Sequence, residues 1–284
     1  MSAKVYKDAK LIGRIIFANV LEYPLKKYKG FIQGVKESPL FEELSQKEII
    51  KPQRLSTARS LHVNTKQSTS HSLCPEGGDG VQVIARIKRK GRGFSIHYSN
   101  EDFNKIYVVK KERLAAILPP PLENRVFQDG NEGEIDRFLH RLRRVSSRNK
   151  LTHRILMETL KYQRKYLSSN NPIDMLPFTR VSLANKLNIS LSWISRVTKG
   201  MAIILPNGQE KALSFFFPSD AEINKFRIKE LLDREQEFLM TGKITMPLSD
   251  DEISIELDKK YGLCISRWSV NKCRKALGIP IAKI

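Results

Sequence analysis

The chain has 284 residues, of which 40% are hydrophobic, and its 50 Lys and Arg against 30 Asp and Glu give a net charge of +20. The length and hydrophobic content exclude a wholly disordered chain and allow two or three domains. The excess of positive charge favours a partner rich in phosphate.

Cysteine and histidine usage argues against several classes of site. The chain has three cysteines and five histidines, without a CxxC pair or zinc-ligand spacing. We therefore expect neither a disulfide scaffold nor a structural zinc, and no cofactor. The apolar run from Leu11 is interrupted by Arg14, which fits neither a signal peptide nor a membrane span. The sequence thus predicts a cytoplasmic protein, and we expect a monomer.

The first half of the chain predicts short helices, a linker and a β-hairpin. Residues 11–44 are apolar and basic, with prolines at 24 and 39, and predict one or two short helices. Residues 51–80 predict a flexible polar linker, because 56–80 are rich in Ser, Thr and Gly. Strands at 81–87 and 94–98 flank a basic turn and predict a β-hairpin, with a third short strand at 106–109. The helical repeat of apolar residues from 135 to 167 predicts long helices and a mainly α, multi-domain protein.

Residues 178–200 carry the pattern of a helix-turn-helix. Ala184 supplies the small residue where the two helices cross, and Asn188 tolerates the left-handed conformation that the turn requires. Ser190 is predicted to cap the second helix through its hydroxyl. The predicted packing positions are Leu183, Leu187, Ile189, Ile194 and Val197.

The second helix of this unit, at about 191–199, is the first candidate recognition helix. At 100° per residue, its outer face gathers short hydrogen-bonding groups and cations, which contact base edges and phosphates. The residues predicted to bind DNA are Ser192, Ser195, Arg196 and Lys199. The alternative is an ordinary helical hairpin with a solvated face.

A second helix-turn-helix is predicted near the C-terminus. Ser249 and Glu252 form a capping box beside Leu248, and Gly262 is predicted to end that helix. The acidic residues 250–252 are interpreted as helix-terminus residues rather than as metal ligands. The helix at about 266–276 follows, and its apolar face is predicted to contain Ser266, Val270, Cys273 and Leu277.

The other positions of that helix form the second candidate recognition surface. Its predicted DNA-binding residues are Arg267, Trp268, Ser269, Asn271, Lys272, Arg274 and Lys275. A charged, solvated surface helix is the alternative, but an exposed Trp268 beside several cations favours a contact surface.

These residues resemble the signature box of the sigma-54 family of bacterial transcription initiation factors, A-R-R-T-V-A-K-Y-R-E followed by L-G-I-P. The matching residues are Arg267, Val270, Lys272, Arg274 and Leu277–Pro280. The family's second arginine is Trp268 here, and Asn271 and Cys273 replace Ala and Tyr. Upstream, the Ser195-Arg196 pair, the Pro206-Asn-Gly208 turn and the aromatic run 215–217 are similar to the family's other helix-turn-helix.

The resemblance implies a domain order and a set of partners. The domains implied are an N-terminal regulatory-region-like segment (1–50), the linker (51–80), a reduced core-polymerase-binding domain (81–170), a helix-turn-helix domain (171–218) and the signature-box domain (219–284). The partners implied are double-stranded promoter DNA, core RNA polymerase and an AAA+ ATPase activator, in the bacterial cytoplasm. The signature-box helix would bind an upstream GG-containing element, and the other helix a downstream GC-containing element.

Two other classes of protein stay open at this point. One is a stand-alone regulator, which would occupy the same promoters without recruiting polymerase. It stays open because the region between Leu44 and Val81 contains only a linker where the family has a further helical part of its core-binding domain. A nucleic-acid enzyme is the third class, but the chain has no P-loop or dinucleotide fingerprint. The sequence therefore favours a sigma-54-like factor that is not an enzyme.

Overall fold

The computed structural model describes residues 3–55, 81–91, 93–116 and 133–279, with side chains from residue 13 onward. Within these ranges the protein is mainly α. Its helices are α1 (Ala3–Glu22), α2 (Leu25–Lys36), α3 (Pro39–Gln46), α4 (Lys111–Ala115), α5 (Glu134–Tyr162), α6 (Arg164–Ser169), α7 (Arg180–Leu187), α8 (Leu191–Thr198), α9 (Asp220–Met240), α10 (Asp250–Tyr261) and α11 (Arg267–Leu277). Its strands are β1 (Ile50–Arg54), β2 (Gln82–Lys90), β3 (Gly93–Tyr98), β4 (Lys105–Val109), β5 (Met201–Ile204) and β6 (Glu210–Ala212).

The chain divides into two compact units. The first comprises Met1–Arg164 with Arg180–Phe216, and the second comprises Lys165–Thr179 with Phe217–Ile284. The predicted separate domain at 171–218 does not match this division, because α7 and α8 group with the first unit. The difference arises because the strands of the predicted hairpin, β2 and β3, share a sheet with β5, the strand that follows α8.

The predicted β-hairpin of the first unit is confirmed, but it belongs to a larger sheet. β2 and β3 pair antiparallel, and β2 also pairs in parallel with β5, which gives a four-stranded sheet in the order β3-β2-β5-β6. A sheet of this kind needs partners far apart in the chain. The local alternation that predicted β2 and β3 therefore carried no information about β5.

Part of the predicted linker is ordered structure. Residues Ile50–Arg54 form β1 and pair antiparallel with β4, from Ile50 opposite Val109 to Arg54 opposite Lys105. Four of its five residues are exposed, and Pro52 fits because this short sheet has only edge strands. Such a polar strand shows no alternating pattern to predict it. The remainder of the predicted linker, 56–80, lies outside the described residues. Where the sequence predicted one or two short helices over 11–44, the described residues 3–46 contain three.

α5 is the central helix of the first unit, and polar groups join it to the elements around it. The Arg148 guanidinium is buried, stacks 3.8 Å above the Tyr28 ring, and donates to the carbonyls of Val20 at 2.5 Å and Tyr23 at 2.8 Å. Burial lowers the pKa of Arg148 to about 10, so it stays protonated at neutral pH. Because these carbonyls lie at and just beyond the C-terminal end of α1, the cation interacts favourably with the helix dipole and holds α1 in place.

In the second unit, α9, α10 and α11 enclose one apolar cluster. Its buried members are Ile228, Leu231, Leu232, Ile253, Leu257 and Val270. Both α9 and α10 begin with a complete capping box, Ser219 with Glu222 and Ser249 with Glu252. The second of these confirms the predicted start of α10.

Candidate nucleic-acid interface

The first helix-turn-helix has the predicted local geometry. Asn188 adopts the left-handed conformation with φ of 52°, at the turn between α7 and α8. The predicted packing residues Leu183, Leu187, Ile194 and Val197 are buried, as is Ala184, while Ile189 is half-buried. These contacts fix the orientation of α8 and define its outer face.

The predicted position of the α8 cap is confirmed, but the predicted hydrogen bond from the helix backbone to the Ser190 hydroxyl is wrong. Ser190 is the N-cap residue, with an extended backbone, but its side chain accepts no backbone hydrogen bond. The Ser190 hydroxyl instead lies 2.9 Å from the Ser192 hydroxyl. The two hydroxyls therefore satisfy each other at the start of the helix.

The outer face of α8 is only partly open. Ser192 and Lys199 are exposed and Ser195 is half-buried. Arg196 Nε lies 2.8 Å from Glu22 Oε1, and the Trp193 ring packs edge-on against Phe17, with ring centroids 5.1 Å apart. α1 therefore lies along one edge of the candidate recognition face, a contact that links residues more than 170 positions apart and that no sequence pattern indicates.

A wing follows α8. β5 and β6 form an antiparallel hairpin around the exposed turn at 206–208, with Gly208 at φ of 85°. The unit is thus a winged helix-turn-helix. The Pro206-Asn-Gly208 turn, which is similar to a turn in the sigma-54 family's helix-turn-helix, is the tip of this wing.

The second unit contains the other helix-turn-helix. α10 ends at Gly262, in the left-handed conformation with φ of 62°, and α11 ends at Gly278 with φ of 68°. Val270 is fully buried against the core. The predicted end of α10 at Gly262 is therefore confirmed and Gly278 ends α11 in the same way, while Pro280 lies outside the described residues.

The open face of α11 is cationic and aromatic. Trp268 is 69% exposed, and the Lys272 ammonium lies 5.2 Å from the centroid of its ring, one helical turn away. Lys275 is exposed on the same side. Arg267 is also exposed, and its guanidinium lies 3.5 Å from an Asp251 carboxylate oxygen, a contact that solvent weakens.

The prediction that Arg274 contacts DNA is wrong. Its side chain is fully buried, with its guanidinium 3.1 Å from Glu235 and 2.9 Å from Asp250, and it donates to the Leu248 carbonyl at 2.7 Å. A buried cation between two buried carboxylates holds α9, α10 and α11 together. Sequence spacing missed this role because the two carboxylates stand 39 and 24 positions away.

Three other assignments on this helix also change. Asn271 is half-buried and donates to Asp250 Oδ2 at 2.9 Å, so its amide is engaged within the unit. Ser266, predicted on the apolar face, is the exposed N-cap, and its hydroxyl accepts from the half-buried Ser269 N–H at 3.4 Å. Leu277 is 40% exposed rather than buried.

The acidic start of α10 is also structural. Glu252 completes the capping box, and the hydrogen bonds from Ser249 lower the pKa of its carboxyl. Asp250 is buried beside Arg274 rather than simply lying at the helix terminus. Across the described residues, no group of three or more His, Cys, Asp or Glu is placed to hold a metal ion.

Fold and site together define a protein with two helix-turn-helix units, each of which presents cations on the open side of its second helix. The chain belongs to the sigma-54 family, because the family model described as "Sigma-54, DNA binding domain" matches residues 134–283, more than half of the chain. The resemblance drawn from the signature box is thereby confirmed. None of the helices within the described ranges is long and apolar enough to cross a membrane.

Two proteins illustrate the likeness. The RNA polymerase sigma-54 factor of Bacillus subtilis (strain 168) is 28% identical over 148 residues, which cover 49% of this chain and 32% of that protein. The chain therefore spans about a third of the length of this curated relative. A crystal structure of Aquifex aeolicus sigmaN bound to promoter DNA is 23% identical with a TM-score of 0.43, and the match covers 70% of this chain and 58% of that one.

Proposed function

We propose that this protein is a sigma-54-like transcription initiation factor that binds promoter DNA at two elements and recruits core RNA polymerase. The observation that carries the proposal is the presence of one recognition helix in each unit, α8 and α11, with a basic open face. Because each unit presents its own helix, each contacts a separate stretch of the duplex. Binding and positioning require no covalent chemistry by the protein.

In the first unit, α8 enters the major groove and contacts the downstream GC-containing element. Arg196 is the guanine-contacting cation, since a guanidinium donates two hydrogen bonds to guanine O6 and N7. Lys199, at the end of the helix, contacts a phosphate, and Ser192 and Ser195 supply short hydrogen bonds.

In the second unit, α11 contacts the upstream GG-containing element. Arg267 is the guanine-contacting residue, and Lys272 and Lys275 contact phosphates. Trp268 packs against base edges or the sugar backbone, where an exposed indole loses unfavourable contact with water. Arg274, Asn271 and Ser269 hold the helix in position from within the unit.

Polymerase recruitment rests on the resemblance of residues 81–170 to the family's core-binding region and on the name of the Bacillus relative, an RNA polymerase sigma-54 factor. An AAA+ ATPase activator would then open the promoter complex. The protein acts in the bacterial cytoplasm as a monomer.

A stand-alone DNA-binding regulator is the second candidate. It is favoured by the stretch between Leu44 and Val81, where the family has a further helical part and the described residues Ile50–Arg54 instead form the short strand β1. Pull-down of core RNA polymerase with the purified chain separates the two candidates. Stable association supports the initiation factor, and its absence together with promoter binding supports the regulator.

DNA binding is tested by footprinting on a duplex that carries both elements. We expect Arg196→Ala to weaken protection of the downstream element and Arg267→Ala to weaken protection of the upstream element. Lys229→Ala, which removes an exposed cation on α9, is the matched control and should change the protection of neither element.

The salt dependence of binding is a second test. The affinity should fall steeply as salt rises, by about 0.9 in log K per log salt for each phosphate neutralised. A salt slope near zero would contradict DNA binding.

A further inference from the structure

The β2–β3 hairpin lies beside the wing of the first helix-turn-helix. Gln82 N–H donates to the Gly200 carbonyl at 2.8 Å, immediately after α8, and β2 then runs parallel to β5. Arg86 on β2 pairs with Ile204, the last residue of β5. β2 continues for four residues beyond that point, so the hairpin extends past the wing along the same sheet.

Three cations occupy alternate positions of β2 and therefore share one face of the hairpin. Arg86, Lys88 and Lys90 are all exposed. Their cross-strand neighbours on β3 are His97, Ser95 and Gly93, and none of these carries negative charge. In the described part of the chain, no carboxylate forms an ion pair with the three cations.

The pKa of His97 is consistent with a positive electrostatic potential on this face. Its pKa is lowered by partial burial and then by the charges of Lys88 and Lys90. The carboxylate that the strand register places on the same face is that of Glu210, which pairs with Ile204 and lies two strands from Arg86. At the usual strand spacing that separation is about 10 Å, roughly one Debye length at 0.1 M salt. The cationic face is therefore not neutralised within the sheet.

The reach of the hairpin matches the geometry of duplex DNA. A strand rises about 3.3 Å per residue, so Lys88 and Lys90 lie roughly 20 and 26 Å along β2 from Gln82, at the end of α8. One turn of B-DNA spans about 34–36 Å, so the next backbone segment lies roughly half that distance from a helix in the major groove. The hairpin is long enough to reach those phosphates.

We propose that the β2–β3 hairpin is a second wing that binds the phosphate backbone of duplex DNA beside the element contacted by α8. This inference rests on the proposed function, in which α8 binds DNA. Arg86, Lys88 and Lys90 each neutralise a phosphate. Because the three cations contact phosphates rather than base edges, the second wing adds affinity and a longer footprint without adding sequence preference.

The test compares two triple variants of the full chain. The first carries Arg86→Gln, Lys88→Gln and Lys90→Gln. The charge-matched control carries Lys26→Gln, Lys29→Gln and Lys111→Gln, which alter exposed positions on α2 and α4. Affinity for a promoter duplex is measured over a range of salt concentrations, with footprints at low salt.

We expect the hairpin variant to have a salt slope less steep by about 2–3, since each lost phosphate contact removes about 0.9. Its footprint should shorten on one side of the downstream element, while the upstream element stays protected. The control should match the unaltered chain. If the triple variant fails to fold, Lys88→Gln and Lys90→Gln singly should each reduce the slope by about one.

Each contrary result has a distinct meaning. An unaltered slope and footprint in a folded variant would overturn the second wing and leave DNA binding by α8 intact. Loss of core polymerase binding with unchanged DNA binding would also overturn it, because the cations would then contact an acidic protein surface. Absence of DNA binding by the unaltered chain would overturn the proposed function as well.

Discussion

Glu22 Oε1 lies 2.8 Å from Arg196 Nε, so the last residue of α1 pairs with the cation proposed to contact guanine. The ring contact between Phe17 and Trp193 extends the interaction along the edge of α8. Arg148 holds the C-terminal end of α1 through the Val20 and Tyr23 carbonyls. The proposed recognition helix α8 is therefore restrained by an N-terminal helix whose position depends on the central helix α5.

The first prediction concerns this pair. Glu22→Gln should strengthen binding to the downstream element, because DNA would no longer compete with a carboxylate for Arg196. Both side chains are partly exposed, so the gain should be modest, up to about 1 kcal/mol or roughly fivefold in affinity. Fluorescence anisotropy with a labelled duplex measures it. Glu43→Gln, which breaks the exposed pair with Lys47, is the control. Equal affinities for the two variants would show that the Glu22 contact does not restrain binding.

The second prediction concerns the base preference of α11. Trp268→Arg should increase discrimination in favour of guanine in the upstream element by about 1–3 kcal/mol, since it restores a second guanidinium beside Arg267. Relative affinities for duplexes with and without the GG pair provide the measurement. Trp268→Phe keeps an aromatic ring without a charge and should leave the preference unchanged. A shift shared by both variants would assign the effect to loss of the indole.

The third prediction separates the buried Arg274 from the cations of α11 that are proposed to contact DNA. Arg274→Met should lower the free energy of unfolding of the second unit by about 3–5 kcal/mol, because it leaves the buried Glu235 and Asp250 carboxylates without their positively charged partner. Lys272→Met should weaken DNA binding with little change in stability. Urea unfolding, with hydrogen–deuterium exchange of α9–α11 as the measure of unfolding of the second unit, distinguishes the two variants. Stability unchanged in Arg274→Met would contradict the buried role.

The fourth prediction concerns His97. Lys88→Gln should raise its pKa, because a neighbouring positive charge that disfavours protonation is removed. Burial still holds the value below that of a free histidine, so the shift is partial. The groups facing His97 are Arg86, Lys88 and Lys90, with the Ser95 hydroxyl 3.1 Å from its Nε2. An NMR titration of the imidazole protons measures the change, with Lys29→Gln as the control. An identical titration in both variants would rule out the electrostatic coupling.

Both helix-turn-helix units follow from local sequence. Asn188, Gly262 and Gly278 each fix a left-handed backbone position, and the Ser249–Glu252 capping box starts α10 within four residues. These features depend on interactions between near neighbours, which periodicity and turn chemistry report. The signature box likewise lies on one helix, so its spacing was sufficient to indicate the family.

The tertiary structure decided which of the candidate side chains are open. Arg274 and Arg267 are both arginines on one basic helix, yet the first is buried between two carboxylates and the second is exposed. Arg196 pairs with a residue of α1, and β2 pairs with β5, over separations of more than a hundred residues. The sequence by itself determined the helices, their turns and the chemistry that they carry. Burial and charge pairing depend on contacts between distant segments, which no local pattern encodes. Only the fold therefore determined which cations stay exposed for the proposed contact with DNA.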